Sequence, residues 1–375
     1  MNAKKILWII PEKKGGIRWY GDALTSALRK QIKNSNGDFE ILDPIYFYED
    51  AITKLRDLNP DVIHIQHEFG VFGSKVPGLY RFPKWISQVR SAFPKSRIVA
   101  TAHTVLDKNY KYPIAGRGWQ TPLRWLVNQF ALPFFRPFWT ERTWGILDGV
   151  VVHSPHLVNT IRESGCPTAK SIPLFVSPSP QVDLETPRQK KLLVLGYFSL
   201  EKGQDIAIQA LAHLTADTQL ILAGGLRRNA DRPYFEKCKR LINELNLSDQ
   251  VSITGYVDRD QFDQLYEEAA LVIAPFRESS GSGSLSHALA HGTAILASDI
   301  LINQEYESLV KGCLAFFKSE DSKDCAHQIQ LLLKNSPKLI ALRKAARDYA
   351  EAWNPDQVAK SYLEFYDTIE NPKTL

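Results

Sequence analysis

Short apolar runs bounded by turn residues recur along the first half of the chain, at residues 6–10, 39–42, 62–65, 98–102 and 149–152. Amphipathic stretches, among them 21–29 and 79–93, separate several of these runs. A continuous apolar run of four to six residues suits a strand covered on both faces, and strands alternating with helices predict a parallel, doubly wound α/β sheet. The pattern restarts after Lys190 with LLVLG, a helix at 205–214, QLILAGG, a helix at 234–245, VSITG, a helix at 261–269, LVIAP and AILAS, before a run of C-terminal helices. Pro- and Ser-rich sequence from Ser177 to Pro187 reads as a linker. The expected organisation is a Rossmann-like domain at 1–178, a linker at 179–189, a second Rossmann-like domain at 190–352 and a terminal helix at 353–375. Two such domains are expected to face a central cleft at the carboxyl ends of both sheets, where ligands of these folds bind.

Composition narrows the class. The chain has 375 residues, 44% hydrophobic and 23% charged, which suits a globular protein with more than one core. A net charge of +5 is too weak to argue for nucleic acid and admits an anionic ligand or membrane surface. Cys166, Cys238, Cys313 and Cys325 are scattered without a CxxC pair, as expected of free thiols in a reducing compartment. The run after Lys4-Lys5 stops at Pro11, too short for a signal core, and no stretch reaches the length of a membrane span. The expected location is cytoplasmic, extending to the inner face of the cell membrane.

Candidate chemistry collects at strand ends. In the second half, Gly196 to Gly203 follows a strand and carries Lys202 just before a helix, and Gly224-Gly225 ends the next strand. The stretch RESSGSGSLSHALAHG (277–292) turns from a flexible loop into a helix, so the backbone N–H groups of Ser282, Gly283, Ser284 and Leu285 are expected to face an anion. Each of these could be only a tight turn; three at successive strand ends of one domain point to a phosphate cradle. Arg277 is expected to help Lys202 neutralise charge there. His287 and His291 are four apart and could share a helix face as metal ligands, but no carboxylate completes HExxH and Gly292 reads as the helix terminator, so no metal is expected. His287 then faces the cleft and His291 caps the helix end.

In the first half, PDVIHIQHEFGVFG places His67 and Glu68 where a strand gives way to a loop. They either orient an acceptor hydroxyl or only fix the loop. His64 is expected to pack inside the sheet, and His103 ends its own strand as His67 does. Residues 108–143 hold six Lys/Arg against one acid, Glu141, and Trp119, Trp125, Trp139 and Trp144 supply half of the eight tryptophans of the chain around them. Leu123, Leu126, Val127 and Phe130 form an apolar stripe on a helix starting at Thr121-Pro122. Such a stripe either meets an anionic membrane or packs on the sheet and lines an acceptor pocket with Trp119 and Trp125.

Taken in order, GYFSLEKGQDIAIQAL, LILAGG, VSITGYV and LVIAPFRESSGSGSLSHALAHGTAILAS resemble the C-terminal domain of GT-B glycosyltransferases, most like glycosyltransferase family 4. PEKKGGIRWYGDAL, PDVIHIQHEFGVFG, IVATAHTV and DGVVVHSPHLVNTI fill the corresponding places of the first domain. The resemblance implies retaining transfer of a sugar from a nucleotide-diphosphate donor to a glycan or lipid-linked acceptor. It implies no obligatory metal and no cofactor besides the donor co-substrate. Lys202 matches the lysine on the donor diphosphate, Gly15 and Gly16 the glycine loop near the phosphates, His103 the histidine near the transferred sugar, and Glu278 the first motif glutamate. The second glutamate is absent, with Ser286 or His287 in its place, and Tyr197 stands where many members carry arginine. In the family the last helix returns to the first domain, which gives Tyr362, Phe365 and Tyr366 an anchoring role. A non-catalytic relative that binds a nucleotide or glycan or supports a partner enzyme, and a sugar-nucleotide epimerase, are the competing readings. The missing carboxylates argue against the epimerase and against a double displacement.

Overall fold

The computed structural model describes residues 3–12, 15–33, 39–46, 51–73, 80–106, 111, 121–179, 183–186, 188–226, 229–279 and 283–369. The chain divides into two compact units, Met1–Leu174 with Pro355–Leu375, and Phe175–Asn354. The first carries, in order, β1 (Lys4–Ile9), α1 (Gly16–Lys33), β2 (Phe39–Ile41), α2 (Ala51–Leu58), β3 (Val62–His67), α3 (Phe82–Ala92), β4 (Arg97–Ala102), α4 (Thr121–Leu126), a π-helical turn at Val127–Ala131, α5 (Leu132–Trp139), α6 (Glu141–Trp144), β5 (Gly149–Val152), α7 (His156–Glu163) and β6 (Thr168–Ser171). The second carries β7 (Lys191–Leu195), a 3-10 turn at Leu200–Lys202, α8 (Gln204–Leu211), β8 (Gln219–Ala223), α9 (Arg232–Glu244), β9 (Val251–Gly255), α10 (Arg259–Glu268), β10 (Leu271–Ala274), α11 (Gly283–Ala290), β11 (Ile295–Ser298), α12 (Leu301–Leu309), β12 (Ala315–Phe317), α13 (Ser322–Leu333) and α14 (Ser336–Ala352). The chain then returns to the first unit as α15 (Pro355–Thr368).

Each unit is one six-stranded sheet, ordered β2-β1-β3-β4-β5-β6 and β12-β11-β10-β7-β8-β9, and the paired strands run parallel. The doubly wound α/β expectation holds for both. The short edge strands β6 and β12 escape the sequence pattern because only one residue of each is buried, and a strand at a sheet edge needs no continuous apolar run.

The two sheets differ in how they are covered. In the second, alternate residues enter two apolar cores: Leu192, Val194, Leu220 and Leu222 on one face, and Leu193, Leu195, Val272 and Ile295 on the other. In the first, Leu7, Ile9, Ile63, Ile65, Ala100 and Val150 make one apolar core. The opposite face carries Trp8, His64, Gln66 and Thr101, all fully buried. His64 and Thr101 bond to α15, which in turn bonds to α1. Tyr366 OH lies 2.8 Å from His64 Nδ1, His64 Nε2 2.8 Å from Thr101 Oγ1, Thr101 Oγ1 2.9 Å from Tyr362 OH, and Tyr362 OH 3.1 Å from Tyr20 OH. Trp8 stacks on the His64 ring at 3.9 Å. Burial lowers His64 to about 3, so it is a neutral core residue whose two nitrogens are both used. Phe365 closes on the start of β5, where a Cβ at Gly149 would stand 2.9 Å from its ring.

Candidate functional site

The strand ends of the second unit are built by backbone packing. Gly196, at φ +132°, ends β7 and donates its N–H to Ala223 O at 2.9 Å. Gly224, at φ +152°, lies against it so closely that a Cβ would stand 2.1 Å from Gly196 O. Gly203, at φ +68°, leads into α8, and a Cβ there would stand 1.9 Å from Pro275 O at the end of β10. Gly203 and Gly224 hold their turns by close approach to neighbouring backbone, whereas a Cβ at Gly196 would meet only the Lys202 side chain at 3.8 Å. That corrects the expectation for Gly224, whose open side is taken by Gly196. Gly283, the first residue of α11, has nothing within 4 Å of where its Cβ would be, and the same is true of Gly15 and of Gly16 at the start of α1. A ligand can reach the backbone at those three positions.

Lys202 ends the 3-10 turn after β7, with its ammonium 4.0 Å above the Phe276 ring. Burial lowers it to about 8, with Glu201 pulling the other way. Arg277 departs from its expected donor role. It grips Asp205 with two bonds of 2.9 and 3.1 Å, donates to Leu200 O at 2.9 Å, and has Glu320 3.4 Å away. Asp205 also receives Tyr234 at 2.7 Å and Lys237 at 2.9 Å. Burial would raise this carboxyl, but the bonds from Arg277, Tyr234 and Lys237 override it and hold it at about 2. The guanidinium is thereby committed to fastening the turn that carries Lys202.

Along α11, Ser284 is partly buried, Leu285 and Ser286 turn inward, and His287 is exposed beside Phe262 at 5.2 Å. Of the two candidates for the missing glutamate, His287 alone therefore presents its side chain outward. Glu278 is exposed before the helix, and Ser282 lies outside the described residues. His291 stands at the end of α11, its N–H on His287 O at 3.0 Å, and its ring is buried there, stacked on Tyr266 at 5.0 Å with Nε2 3.1 Å from Asp263. Gly292, at φ +51°, does terminate the helix. Among the described residues, no three His, Cys, Asp or Glu side chains gather as a metal set, and all four cysteines are buried and free.

In the first unit β3 separates the expected His67–Glu68 pair. His67 is fully buried on the apolar face, 2.7 Å from Tyr80 OH and packed by Phe72, Phe82 and Trp144. Burial lowers it to about 3. It fixes the loop from within the core and cannot reach an acceptor, which overturns its catalytic and acceptor assignment. Glu68 sits partly exposed at the strand end, accepting from Thr104 at 2.7 Å. His103 continues the β3–β4 ladder by one residue, its N–H on His67 O at 3.1 Å. Its ring is only partly buried, and Nε2 lies 2.5 Å from Gln66 Oε1. His153, one residue beyond β5, places Nε2 3.3 Å from His103 Nδ1. His153 was not singled out in the sequence, because only the sheet register shows that it ends up beside His103.

The aromatic segment exposes most of its stripe. Leu123, Leu126 and Phe130 are 57%, 47% and 67% exposed, Val127 is half-buried, and Trp125 and Phe134 beside them are 49% and 78% exposed, so the packing alternative fails for this face. Leu132, Trp139 and Trp144 are the residues that enter the core. Trp119 lies outside the described residues. No helix among the described residues is long and apolar enough to cross a membrane.

Residues 179–352 match the family described as Glycosyl transferases group 1. A GDP-Man:Man(3)GlcNAc(2)-PP-Dol alpha-1,2-mannosyltransferase of Dictyostelium discoideum is 26% identical over 195 residues, covering 49% of this chain and 38% of the relative. A D-inositol 3-phosphate glycosyltransferase of Xylanimonas cellulosilytica is 25% identical over 182 residues, covering 47% and 41%. The chain thus spans less than half the length of the curated relatives it matches. Sucrose-phosphate synthase from Thermosynechococcus elongatus superposes with a TM-score of 0.69 at 16% identity, covering 97% of this chain and 98% of that one. HepE of Anabaena, solved with UDP and glucose, gives 0.66 at 16% identity over 97% and 100%.

Proposed function

We propose, because residues 179–352 match the glycosyl transferases group 1 and the fold is that of GT-B enzymes, that this chain moves a sugar from a nucleotide-diphosphate donor to a glycan or lipid-linked acceptor. The observation that carries the reading is the donor-side strand edge. Lys202 stands there as a half-desolvated cation on a turn clamped by Arg277 and Asp205. The accessible backbone at Gly283 opens α11 in the same unit. A lysine held in place and a helix N-terminus together favour a diphosphate and stabilise it as the leaving group. Retention without an obligatory metal, with the departing diphosphate assisting attack on the same face of the sugar, is what the resemblance to glycosyltransferase family 4 implies for this site. Glu278 and His287 are the exposed side chains assigned to the rest of the nucleotide sugar.

A thermal-shift screen of UDP-, GDP- and ADP-sugars, followed by assay of released nucleoside diphosphate, tests this. One nucleotide class stabilises the wild type, and Lys202→Ala weakens that binding at least about tenfold, the loss of one charge-assisted contact. A wild type that neither binds a nucleoside diphosphate nor consumes any nucleotide sugar rules the enzyme out.

The exposed stripe on α4 and α5 supports peripheral contact with an anionic membrane, which suits a lipid-linked acceptor. Apolar side chains project while Arg142 lies over Phe138 at 4.4 Å. Wild-type protein floats with anionic vesicles, and Phe130→Asp with Phe134→Asp leaves it in the pellet without altering its melting temperature. Equal flotation of both proteins would remove the contact.

A further inference from the structure

The ends of β3, β4 and β5 bring three polar side chains into one row on the face covered by α1. Gln66 Oε1 lies 2.5 Å from His103 Nε2, His103 Nδ1 3.3 Å from His153 Nε2, and His153 Nδ1 3.0 Å from the carbonyl oxygen of Ile172. The Tyr20 ring meets both imidazoles edge-on, at 5.3 Å and 5.4 Å, and holds their planes. Resting on the transfer reading above, we propose that His153 is the positioning residue of His103, fixing its proton on Nδ1 so that Nε2 presents a lone pair to a ligand hydroxyl.

The proton count leads there. A carbonyl oxygen only accepts, so His153 donates to Ile172 from Nδ1. Burial lowers His153 to about 4, and burial together with the neighbouring His153, His67 and His64 places His103 well below its ordinary range. Both rings are therefore neutral at pH 7, with one N–H each. His153 has used its own at Nδ1, so its Nε2 accepts from His103 Nδ1–H. His103 has then spent its proton, and Nε2 holds a lone pair. An amide oxygen facing that nitrogen would require three N–H groups on two rings that own two. Half a turn of the Gln66 amide brings its NH2 there and completes a neutral, one-directional chain from Gln66 to Ile172. A sugar or acceptor hydroxyl that takes over from the Gln66 amide meets an acceptor nitrogen in a fixed plane. A ligand carbonyl or phosphate oxygen at that point finds no proton.

The test uses full-length protein with 15N-labelled histidine, in long-range proton–nitrogen spectra at pH 7.5. His103 is expected in the Nδ1–H form in the wild type and to move to the Nε2–H form in His153→Phe. His153→Gln, whose amide oxygen accepts from Nδ1–H, retains the wild-type form. In transfer assays His153→Phe lowers kcat about ten- to a hundredfold with the donor KM within about twofold, and His153→Gln recovers most of the rate. A wild-type His103 in the Nε2–H form or doubly protonated overturns the inference, as does a tautomer indifferent to His153→Phe. The spectra need no turnover. A chain that consumes no nucleotide sugar therefore defeats the functional reading separately, while the tautomer result still decides the role of His153.

Discussion

At the scale of single residues, neighbours in sequence have opposite fates. Gln66 and Glu68 stand on the hydrogen-bonded side of β3, while His67 between them is sealed in aromatic packing, because successive side chains of a strand alternate faces. Strand-end position marked both His67 and His103 as candidates, but only His103 keeps part of its ring accessible. Lys202 yields a sharper expectation. Burial sets it at about 8, so the free protein loses that positive charge as pH rises through 8, whereas a bound diphosphate favours the charged form. Calorimetric titration with the preferred nucleoside diphosphate should give its highest affinity at about pH 7, above the second phosphate pKa of about 6 and below that of the lysine. It should weaken by up to about tenfold per unit above pH 8, with proton uptake on binding. Affinity that is flat to pH 9.5 would remove Lys202 from the phosphate contact.

Among elements, the glycines sort into two kinds that the sequence does not distinguish. Gly203 and Gly224 sit at positive φ with carbonyl oxygens within 1.9 and 2.1 Å of where a Cβ would stand, so alanine strains backbone against backbone. Gly203→Ala and Gly224→Ala are each expected to cost about 2–4 kcal/mol, read as a lowered unfolding midpoint. Gly283→Ala meets open space at the start of a helix, so stability should stay level or rise by up to about 1 kcal/mol. Its effect should appear in donor affinity instead. Equal stability losses at all three positions would contradict this division. The strands and most helices were legible because burial on both faces imposes continuous apolar runs. Bounds of the helices shifted by a few residues, and α4 to α6 were legible as one amphipathic stretch but not as a segment with a π-helical turn.

For the whole molecule, the decisive feature is the return of the chain. After the second unit is complete, α15 lies on the first sheet and supplies Tyr362, Phe365 and Tyr366, all fully buried. Without it His64 and Thr101 would lose the hydroxyls that satisfy them in the dry interior. Tyr366→Phe is expected to lower the stability of the first unit by about 1–3 kcal/mol, the cost of an unsatisfied buried nitrogen. A chain ending at residue 354 should lose the thermal transition of the first unit while the second still melts cooperatively. Retention of both transitions would show that α15 is dispensable for folding.

The two parallel α/β repeats and the strand-end placing of Lys202 and His103 are written into local sequence, and the ordered motifs carry the resemblance to GT-B glycosyltransferases. Hydrophobic period and glycine spacing are local records of burial and turn geometry, so they can be read residue by residue. Which strand-end groups stay open to a ligand depends instead on tertiary packing. It withdrew Arg277 into a clamp with Asp205, sealed His67 in the core, turned the stripe of α4 and α5 outward and set His153 against His103. Such outcomes depend on sheet register and on partners far along the chain, 342 residues in the case of Tyr362 and Tyr20, and no local pattern encodes a partner that distant.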